Sequence, residues 1–313
     1  MSSFGLEVTL AQPRGFCAGV DRAIEIVERA LALYGAPVYV LHEIVHNRYV
    51  VDDLSARGVI FVDGLDKVPP GAVTIYSAHG VSDAVVARGV ERGLRVIDAT
   101  CPLVTKVHQQ AQAYERDGRE VILVGHPGHP EVEGTRGRIR GEVHVLSTVE
   151  EVEALTVRDP ERLSYVTQTT LSVDDTREVI AALVRRFPSI RGPALKDICY
   201  ATQNRQNAVR SMSEEIDLLL VVGSQNSSNS NRLRELGERK GVASWLIDGA
   251  RDIDPSWFRP GLRIGVTAGA SAPESLVQEV LERLRALGVS SVVEMEGEPE
   301  SIVFRLPAEL EAK

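Results

Sequence analysis

The sequence predicts an α/β protein built from three similar three-strand domains. Short apolar strands, among them PVYVLH, EVILVGH, LLLVVGS and RIGVTAG, alternate with amphipathic helical stretches. Continuous apolar strands that alternate with helices are typical of a parallel sheet covered on both faces. In addition, strand–turn–helix units of three kinds recur three times in the same order, which indicates three copies of one unit.

The elements follow one another in the same way in each copy. The first units are VTLAQPRGFCAGVDRAIEIVERA, RVIDATCPLVTKVHQQAQAYER and ALKDICYATQNRQNAVRSMSEE. Each is predicted to form a strand, a turn that carries a cysteine, and a helix. The second units, such as VILVGHPGHPEVEGTRG, place a loop rich in His, Glu, Ser or Asn after a strand. The third units, such as VTIYSAHGVSDAVVARGVERG, place a small polar loop and then a helix after a strand.

The spacing of polar residues is nearly constant between the copies. Each cysteine precedes the polar residue of the second loop by 28 or 29 residues, and that of the third loop by 62 to 72 residues. The three sets are Cys17, His46 and His79; Cys101, His129 and Thr169; and Cys199, Ser227 and Ser271. Ligands bind beyond the carboxyl ends of strands in open parallel sheets, and all nine loops lie at such ends. Packing around a pseudo-threefold axis would bring these residues to one point.

The same repeats predict the domain limits. The length of 313 residues suggests two or three domains at roughly 100–200 residues each. We expect a first α/β domain at 15–100 and a second at 101–198. The third would combine 1–14 with 199–287, and 288–313 would form a C-terminal tail.

Composition excludes several classes of protein. The net charge of −9 argues against nonspecific nucleic-acid binding, which needs a basic surface. No apolar run approaches the ~18 residues of a membrane helix, and the start MSSFGLEVTL lacks the features of a secretory signal. We therefore expect a cytoplasmic protein. Its three cysteines are odd in number and far apart, which favours thiols or metal ligands over a disulfide framework.

The cysteines are candidate ligands of a metal centre. Zinc and iron–sulfur clusters both bind thiolate. Structural zinc sites usually use close cysteine pairs, whereas Cys17, Cys101 and Cys199 are separated by 84 and 98 residues. Three thiolates on a four-iron cluster would leave one iron open to substrate as a Lewis acid. The alternative is three unrelated core cysteines, but their matched position in the repeat favours the metal centre.

The polar loops are candidate ligands for a phosphate-bearing molecule. His46, His79 and His129 come from matched loops, whereas the third copy offers hydroxyls and an amide at helix starts. Helix N-termini bind phosphate through free N–H groups. The alternative is that these serines are ordinary N-caps. The residues of the third copy are Ser227, Ser228, Asn229 and Ser271.

A carboxylate and a hydroxyl complete the candidate chemistry. Glu131, in GHPGHPEVEGT, sits beside a matched loop position and would donate protons if a cavity raised its pKa, and Glu133 is the competing choice. Thr169, in TQTTLS, offers a hydroxyl. The chain has no GxxxxGK[ST] and no good GxGxxG, so nucleotide-hydrolysis and dinucleotide functions lack support.

At these residues the sequence resembles the 4-hydroxy-3-methylbut-2-enyl diphosphate reductase family. The motifs that carry the resemblance run in order through residues 14–273. They are RGFCAGVDRAI, HEIVHNRYVV, SAHGVS, DATCPLVTKVH, GHPEVEGT, TQTTLSVDDT, DICYATQNRQ, NSSNSNRL and VTAGASAP.

The resemblance implies a trefoil of three α/β domains around a central [4Fe-4S] cluster. Cys17, Cys101 and Cys199 would hold the cluster, and its fourth iron, which has no protein ligand, would bind the substrate hydroxyl. Glu131 would direct protons to the substrate, and Thr169 would help to position the hydroxyl. The residues implied to hold the diphosphate are His46, His79, His129, Ser227, Ser228, Asn229 and Ser271.

The implied reaction is the last step of the non-mevalonate isoprenoid pathway. Two electrons and two protons remove the hydroxyl as water, which gives isopentenyl and dimethylallyl diphosphates. Because no flavin motif or second cluster motif is present, we expect an external electron donor, ferredoxin or flavodoxin. We expect neither nucleic acid nor membrane as a partner.

Two other functions fit part of the pattern. A redox-neutral dehydratase also uses a cluster with an open iron, but it turns over without a reductant. A non-enzymatic iron–sulfur or zinc sensor would need a DNA- or protein-binding module, and the acidic sequence shows none. A requirement for reductant therefore distinguishes the reductase from the dehydratase, and the lack of a binding module in the sequence distinguishes it from the sensor.

Overall fold

A computed structural model describes residues 6–193, 197–297 and 300–311. The strands of this part are β1 (Leu6–Leu10), β2 (Val38–Leu41), β3 (Val59–Val62), β4 (Val73–Tyr76), β5 (Arg95–Asp98), β6 (Glu120–Val124), β7 (Val143–Leu146), β8 (Leu163–Thr167), β9 (Leu218–Val222), β10 (Ala243–Ile247), β11 (Arg263–Ala268) and β12 (Val289–Glu294).

The helices alternate with these strands. They are α1 (Ala18–Tyr34), α2 (Arg48–Ala56), α3 (Asp83–Glu91), α4 (Pro102–Arg116), α5 (Pro130–Arg136), α6 (Val149–Ala154), α7 (Val173–Arg186), α8 (Tyr200–Met212), α9 (Ser228–Arg239), α10 (Glu274–Ala286) and α11 (Ala308–Glu311). Short 3₁₀ turns cover Leu65–Lys67, Ala250–Asp252 and Pro255–Trp257.

The chain divides into two compact units. The first unit contains Met1–Ala18, His46–Asp52 and Tyr200–Ile302. The second unit contains Gly19–Val45, Asp53–Cys199 and Val303–Lys313.

The first unit holds a five-stranded parallel sheet in the order β10-β9-β11-β1-β12. All five residues of β9, LLLVV, are buried. Leu218, Leu220 and Val222 pack into one apolar cluster, while Leu219 and Val221 pack into another. Alternate residues of a strand face opposite sides, so helices cover this sheet on both faces.

The second unit holds the other two sheets, which are also parallel. One has four strands in the order β3-β2-β4-β5, and the other has three in the order β7-β6-β8. In β6 the side chains of Ile122 and Val124 enter one apolar cluster, and those of Val121 and Leu123 enter a second. The predicted α/β class with three parallel sheets is therefore confirmed.

A common strand order relates the three sheets. The segments β3-β2-β4, β7-β6-β8 and β10-β9-β11 share one order. Beside the last strand of two of them lies the strand that leads to a cysteine, β5 before Cys101 and β1 before Cys17. In the third sheet only a bridge between Ser164 and Arg191 occupies the corresponding place. The strand predicted before Cys199 falls partly on 194–196, outside the described residues.

The strand numbers differ from the expected three per copy. The sequence missed the edge strands β3, β7 and β10, which are short and only partly buried. It also missed β12, which pairs with β1 inside the segment expected to be a tail. Edge strands bury one face at most, so β7, β10 and β12 mix polar with apolar residues. The exception is β3, VIFV, which is apolar throughout although Ile60 is exposed.

Candidate active site

The three cysteines occupy the same local position. Cys17, Cys101 and Cys199 each stand immediately before the first residue of a helix, α1, α4 and α8 respectively. Each backbone N–H donates to a carbonyl in the third loop of a repeat: Cys17 to Ala270 (3.3 Å), Cys101 to Ala78 (3.0 Å) and Cys199 to Thr169 (3.2 Å). One hydrogen bond made three times supports the repeat and ties each thiol turn to a predicted substrate loop.

The chemistry of these positions suits thiolate ligands. In the described part of the chain none of the three cysteines forms a disulfide, and each is half-buried. A helix N-terminus carries a partial positive charge that stabilises thiolate. Three such thiolates are the donors that an iron–sulfur cluster takes. The residues present therefore fit the expected group.

A second group of possible metal ligands was not anticipated from the sequence. Ligand atoms of Glu120, Glu142 and His144 lie within 4.8 Å of one another. The Arg158 Nε lies 3.6 Å from an oxygen of each of these two carboxylates, and His144 Nε2 contacts Glu120. Glu120 therefore already has two side-chain partners, His144 and Arg158, and Glu142 has one, Arg158.

The first unit brings together the residues predicted for the third copy, together with His46. The Ser271 hydroxyl donates to the His46 carbonyl (2.8 Å) and lies 3.5 Å from the Ser227 hydroxyl. Ser227 is the N-cap of α9 and accepts from the Ser230 N–H (3.3 Å). The capping role is therefore real, and it coexists with a cluster of hydroxyls at a helix N-terminus. Ser228 is the first residue of that helix.

Asn229 goes beyond what a cap requires. Its Oδ1 accepts from the Ala270 N–H (2.9 Å), which fixes the amide plane, and the residue is 4% exposed. Its Nδ2 is buried and has no hydrogen-bond partner among the described residues. A buried donor of this kind is costly unless a ligand pairs with it. This amide is therefore oriented to bind an acceptor such as a phosphate oxygen.

The second unit brings two predicted histidines side by side. The rings of His79 and His129 meet edge to face with centroids 5.9 Å apart. His129 is the N-cap of α5, and its Nδ1 accepts from the Glu131 N–H (3.1 Å), while Ser77 Oγ lies 3.3 Å from His79 Nδ1. These bonds fix both rings.

Glu131 is buried and bound by Thr169. Its Oε1 accepts from the Thr169 N–H (2.6 Å) and its Oε2 from the Thr169 hydroxyl (2.9 Å), and it is 3% exposed. Burial raises the pKa of Glu131 from 4.5 to about 7, although the bonds from Thr169 oppose the rise. Glu133 is exposed and accepts from the Gly128 N–H (3.2 Å). The geometry favours Glu131 over Glu133 as a proton donor.

Two buried polar residues that support the site were missed from the sequence. Gln168 accepts from the His126 N–H (3.0 Å) and donates to the Thr170 hydroxyl (3.0 Å), joining two predicted site loops. His108 of α4 packs under Gly80, where an added Cβ would lie 2.6 Å from its Cε1. Gln168 lies in the motif TQTTLS and His108 in DATCPLVTKVH. Their position inside these motifs was the only sign in the sequence that they support the site.

Comparison with protein families agrees with this geometry. The model of the LytB protein family matches residues 8–285, which include all the candidate site residues. The chain belongs to the LytB protein family. The predicted family is confirmed by this match together with relatives of this chain that carry the reductase name.

Curated relatives of this LytB chain are similar over nearly their full length. A Bordetella pertussis protein named 4-hydroxy-3-methylbut-2-enyl diphosphate reductase is 62% identical over 98% of this chain and 94% of its own. A Pseudomonas putida protein with the same name is 58% identical over 98% of this chain and 99% of its own.

Solved structures share the fold of this LytB chain. The E-1-hydroxy-2-methyl-but-2-enyl-4-diphosphate reductase from Plasmodium falciparum is 37% identical, with a TM-score of 0.92, over 98% of this chain and 96% of its own. A second structure is described as (E)-4-hydroxy-3-methyl-but-2-enyl diphosphate reductase, the terminal enzyme of the non-mevalonate pathway. It is 34% identical, with a TM-score of 0.65, over 90% of this chain and 99% of its own. Within the described residues, we find no helix whose length and apolar character would let it span a bilayer.

Proposed function

We propose that this LytB chain reduces 4-hydroxy-3-methylbut-2-enyl diphosphate to isopentenyl and dimethylallyl diphosphates. One observation carries the proposal: Thr169 joins the proton donor to a thiol turn. Its N–H and hydroxyl bind Glu131, and its carbonyl accepts from the Cys199 N–H. A proton source beside a metal ligand is what reductive loss of a hydroxyl requires.

The reaction breaks the allylic C–O bond. The hydroxyl oxygen leaves as water with one added proton, and the allyl fragment takes up two electrons and a second proton at carbon. A [4Fe-4S] cluster bound to Cys17, Cys101 and Cys199 would supply the electrons and a Lewis-acidic iron. The electrons come from an external protein, ferredoxin or flavodoxin, in the cytoplasm.

Glu131 supplies the protons. A pKa of about 7 leaves a large protonated fraction near neutral pH, as a general acid needs. Thr169 holds both carboxyl oxygens, so the proton stays at a fixed position. The Thr169 hydroxyl, which donates to Glu131, is also proposed to help position the substrate hydroxyl.

The residues proposed to hold the diphosphate are histidines, an amide and hydroxyls rather than a lysine or arginine clamp. His79 and His129 lie ring to ring, and Asn229 offers its buried amide. The free N–H groups at the start of α9 add a partial positive charge. The remaining residues proposed to bind the diphosphate are His46, Ser227, Ser228 and Ser271.

Anaerobic purification followed by metal analysis and turnover tests the proposal. We expect about four iron atoms per chain, a broad visible absorption band, and turnover only with a reductant such as dithionite and a viologen. Turnover without reductant would instead identify a dehydratase. A preparation that holds zinc and no iron would contradict the proposal.

A further inference from the structure

A fully buried arginine lies against the turn that carries Cys17. Arg205, on α8, is 0% exposed. Its guanidinium donates to the carbonyl of Gly15 from Nε (3.0 Å) and Nη2 (2.6 Å), to that of Phe16 from Nη2 (3.0 Å), and to that of Ala201 from Nη1 (3.0 Å). Gly15 and Phe16 are the two residues directly before Cys17.

The same turn is fixed from its other side. The Gly15 N–H donates to the Ala268 carbonyl (3.1 Å), and the Cys17 N–H donates to the Ala270 carbonyl (3.3 Å). Gly15 has a φ of +66°, and an added Cβ there would lie 3.1 Å from the Ala272 carbonyl oxygen. The N–H groups of Gly15 and Cys17 and the carbonyls of Gly15 and Phe16 therefore all have hydrogen-bond partners.

Glu300 balances the charge of Arg205. Glu300 Oε1 lies 3.0 Å from Nη1 and Oε2 lies 3.1 Å from Nη2, and Asn204 Nδ2 donates to Oε1 (3.2 Å). An unpaired buried cation is strongly unfavourable, so the carboxylate is needed for the guanidinium to stay. Planar guanidinium geometry lets one side chain bind three carbonyls and a carboxylate at once, which an ammonium does not match.

We infer that Arg205, held by Glu300, is the positioning residue of the Cys17 ligand. It fixes the backbone from which the thiol projects, and so slows release of the cluster from Cys17. This inference rests on the proposed function, because it assigns Cys17 to the cluster. Nothing in the proposed reaction requires Arg205 to touch substrate or iron.

The experiment measures cluster loss from the anaerobically purified holoprotein. A ferrous chelator is added, and the decay of the visible band is followed for the wild type, Arg205→Lys and Glu300→Gln. We expect loss to be at least tenfold faster in Arg205→Lys and intermediate in Glu300→Gln. Arg210→Lys is the matched control on the same helix, where the guanidinium binds Asn207 (3.0 Å), and its rate should stay within twofold of wild type.

A second control separates positioning from general stability. Leu284→Ala empties a fully buried place on α10 in the same unit, and it should lower the thermal midpoint without touching the Cys17 turn. Equal acceleration of cluster loss in Leu284→Ala and Arg205→Lys at similar midpoints would overturn the inference. Wild-type rates in both Arg205→Lys and Glu300→Gln would also overturn it. If Arg205→Lys does not fold, Glu300→Gln alone decides.

The two proposals fail in different ways. Wild-type protein that binds no iron would defeat the proposed function and this inference together. Wild-type protein with a full cluster and reductant-dependent turnover, but with variants that lose iron at the wild-type rate, would defeat only the role of Arg205.

Discussion

At the scale of single residues, burial separates two neighbouring carboxylates. Glu131 is buried and has its pKa raised to about 7, whereas Glu133 is exposed and binds the Gly128 N–H. The sequence favours Glu131, which sits beside a matched loop position, and leaves Glu133, two residues on, as the competing choice. The turn of helix α5 between them decides which one faces Thr169.

Glu131→Gln should lower kcat by about 10²-fold or more while changing KM little. The amide keeps the shape of the side chain, and its oxygen can still accept from the Thr169 N–H while its NH2 donates to the Thr169 hydroxyl. It does not deliver a proton, and loss of a general acid usually lowers kcat by this amount. Steady-state kinetics with an artificial reductant measure both constants, and Glu133→Gln is the matched control with near wild-type values. A normal kcat in Glu131→Gln would assign proton donation to another group.

The raised pKa of Glu131 predicts a pH-dependent stability. The folded chain keeps this proton up to about pH 7, but the unfolded chain releases it near 4.5, so stability falls as pH rises between these values. From pH 5 to pH 8 the free energy of unfolding of wild type should fall by roughly 2 kcal/mol relative to Glu131→Gln. Urea unfolding of both proteins across this range measures the difference. Parallel curves would mean that Glu131 has an ordinary pKa.

Asn229→Ala should act on binding and leave the chemical step nearly intact. A hydrogen bond to a charged group contributes about 1.5–3 kcal/mol, so KM should rise about 10- to 100-fold. The exposed Asn207, on α8, provides the control Asn207→Ala. A loss confined to kcat would contradict a role for Asn229 in holding the diphosphate.

At the scale of elements, helix α4 supports the loop that carries His79. His108 is 4% exposed, and its ring lies against Gly80, the residue after His79. Gly80 has a φ of +79°. Burial lowers the pKa of His108 to about 4, so the imidazole is neutral at physiological pH. Because the His108 ring lies so close to position 80, only glycine fits there without a clash.

Gly80→Ala should destabilise the protein by more than Gly93→Ala. Gly93 also has a positive φ, +63°, but nothing lies within 4 Å of an added Cβ. The control therefore costs only the backbone strain, about 1–2 kcal/mol. Gly80→Ala adds the clash with His108, about 1–3 kcal/mol more, and should also raise KM by shifting His79. Equal losses of unfolding free energy in the two variants would show that the loop relaxes freely.

At the scale of the whole molecule, the three thiol turns come from three repeats of one strand order. The backbone N–H of each cysteine donates to a carbonyl in one of three loops. The acceptor is Thr169 itself in one case and the residue before His79 or before Ser271 in the other two. The fold therefore ties each proposed ligand turn to a proposed substrate loop, three times over. We expect the proposed cluster to depend on every copy.

Cys17→Ser, Cys101→Ser and Cys199→Ser should each lose most iron and nearly all turnover. Each change removes one of three proposed thiolate ligands, and hydroxyl is a poor ligand for this iron. Iron and sulfide per chain after anaerobic purification are the measurements. Glu142→Gln, in the other group of possible ligands, should keep wild-type iron. Full iron and turnover in any of the three cysteine variants would contradict the three-thiolate assignment.

The α/β class, the threefold repeat and the family could all be predicted from the amino-acid sequence. Central strands such as LLLVV and EVILV are buried on both faces, so their composition is visible in any single copy. The motifs around Cys17, Cys101 and Cys199 are local, because each joins one turn to one helix. The limits of the domains and the roles of the individual site residues remain predictions.

Features that depend on partners distant in sequence could not be predicted without the three-dimensional fold. The strands β3, β7, β10 and β12 bury part of their surface, so their pairing is set by a neighbouring strand rather than by their own pattern. The hydrogen bond that distinguishes Glu131 from Glu133 comes from Thr169, 38 residues further along the chain. Arg205 binds the Gly15 carbonyl, in the Cys17 turn, although the two residues are 190 positions apart. Burial and hydrogen bonding at these positions arise when two distant segments pack together, and the order of residues along the chain does not show which segments will do so.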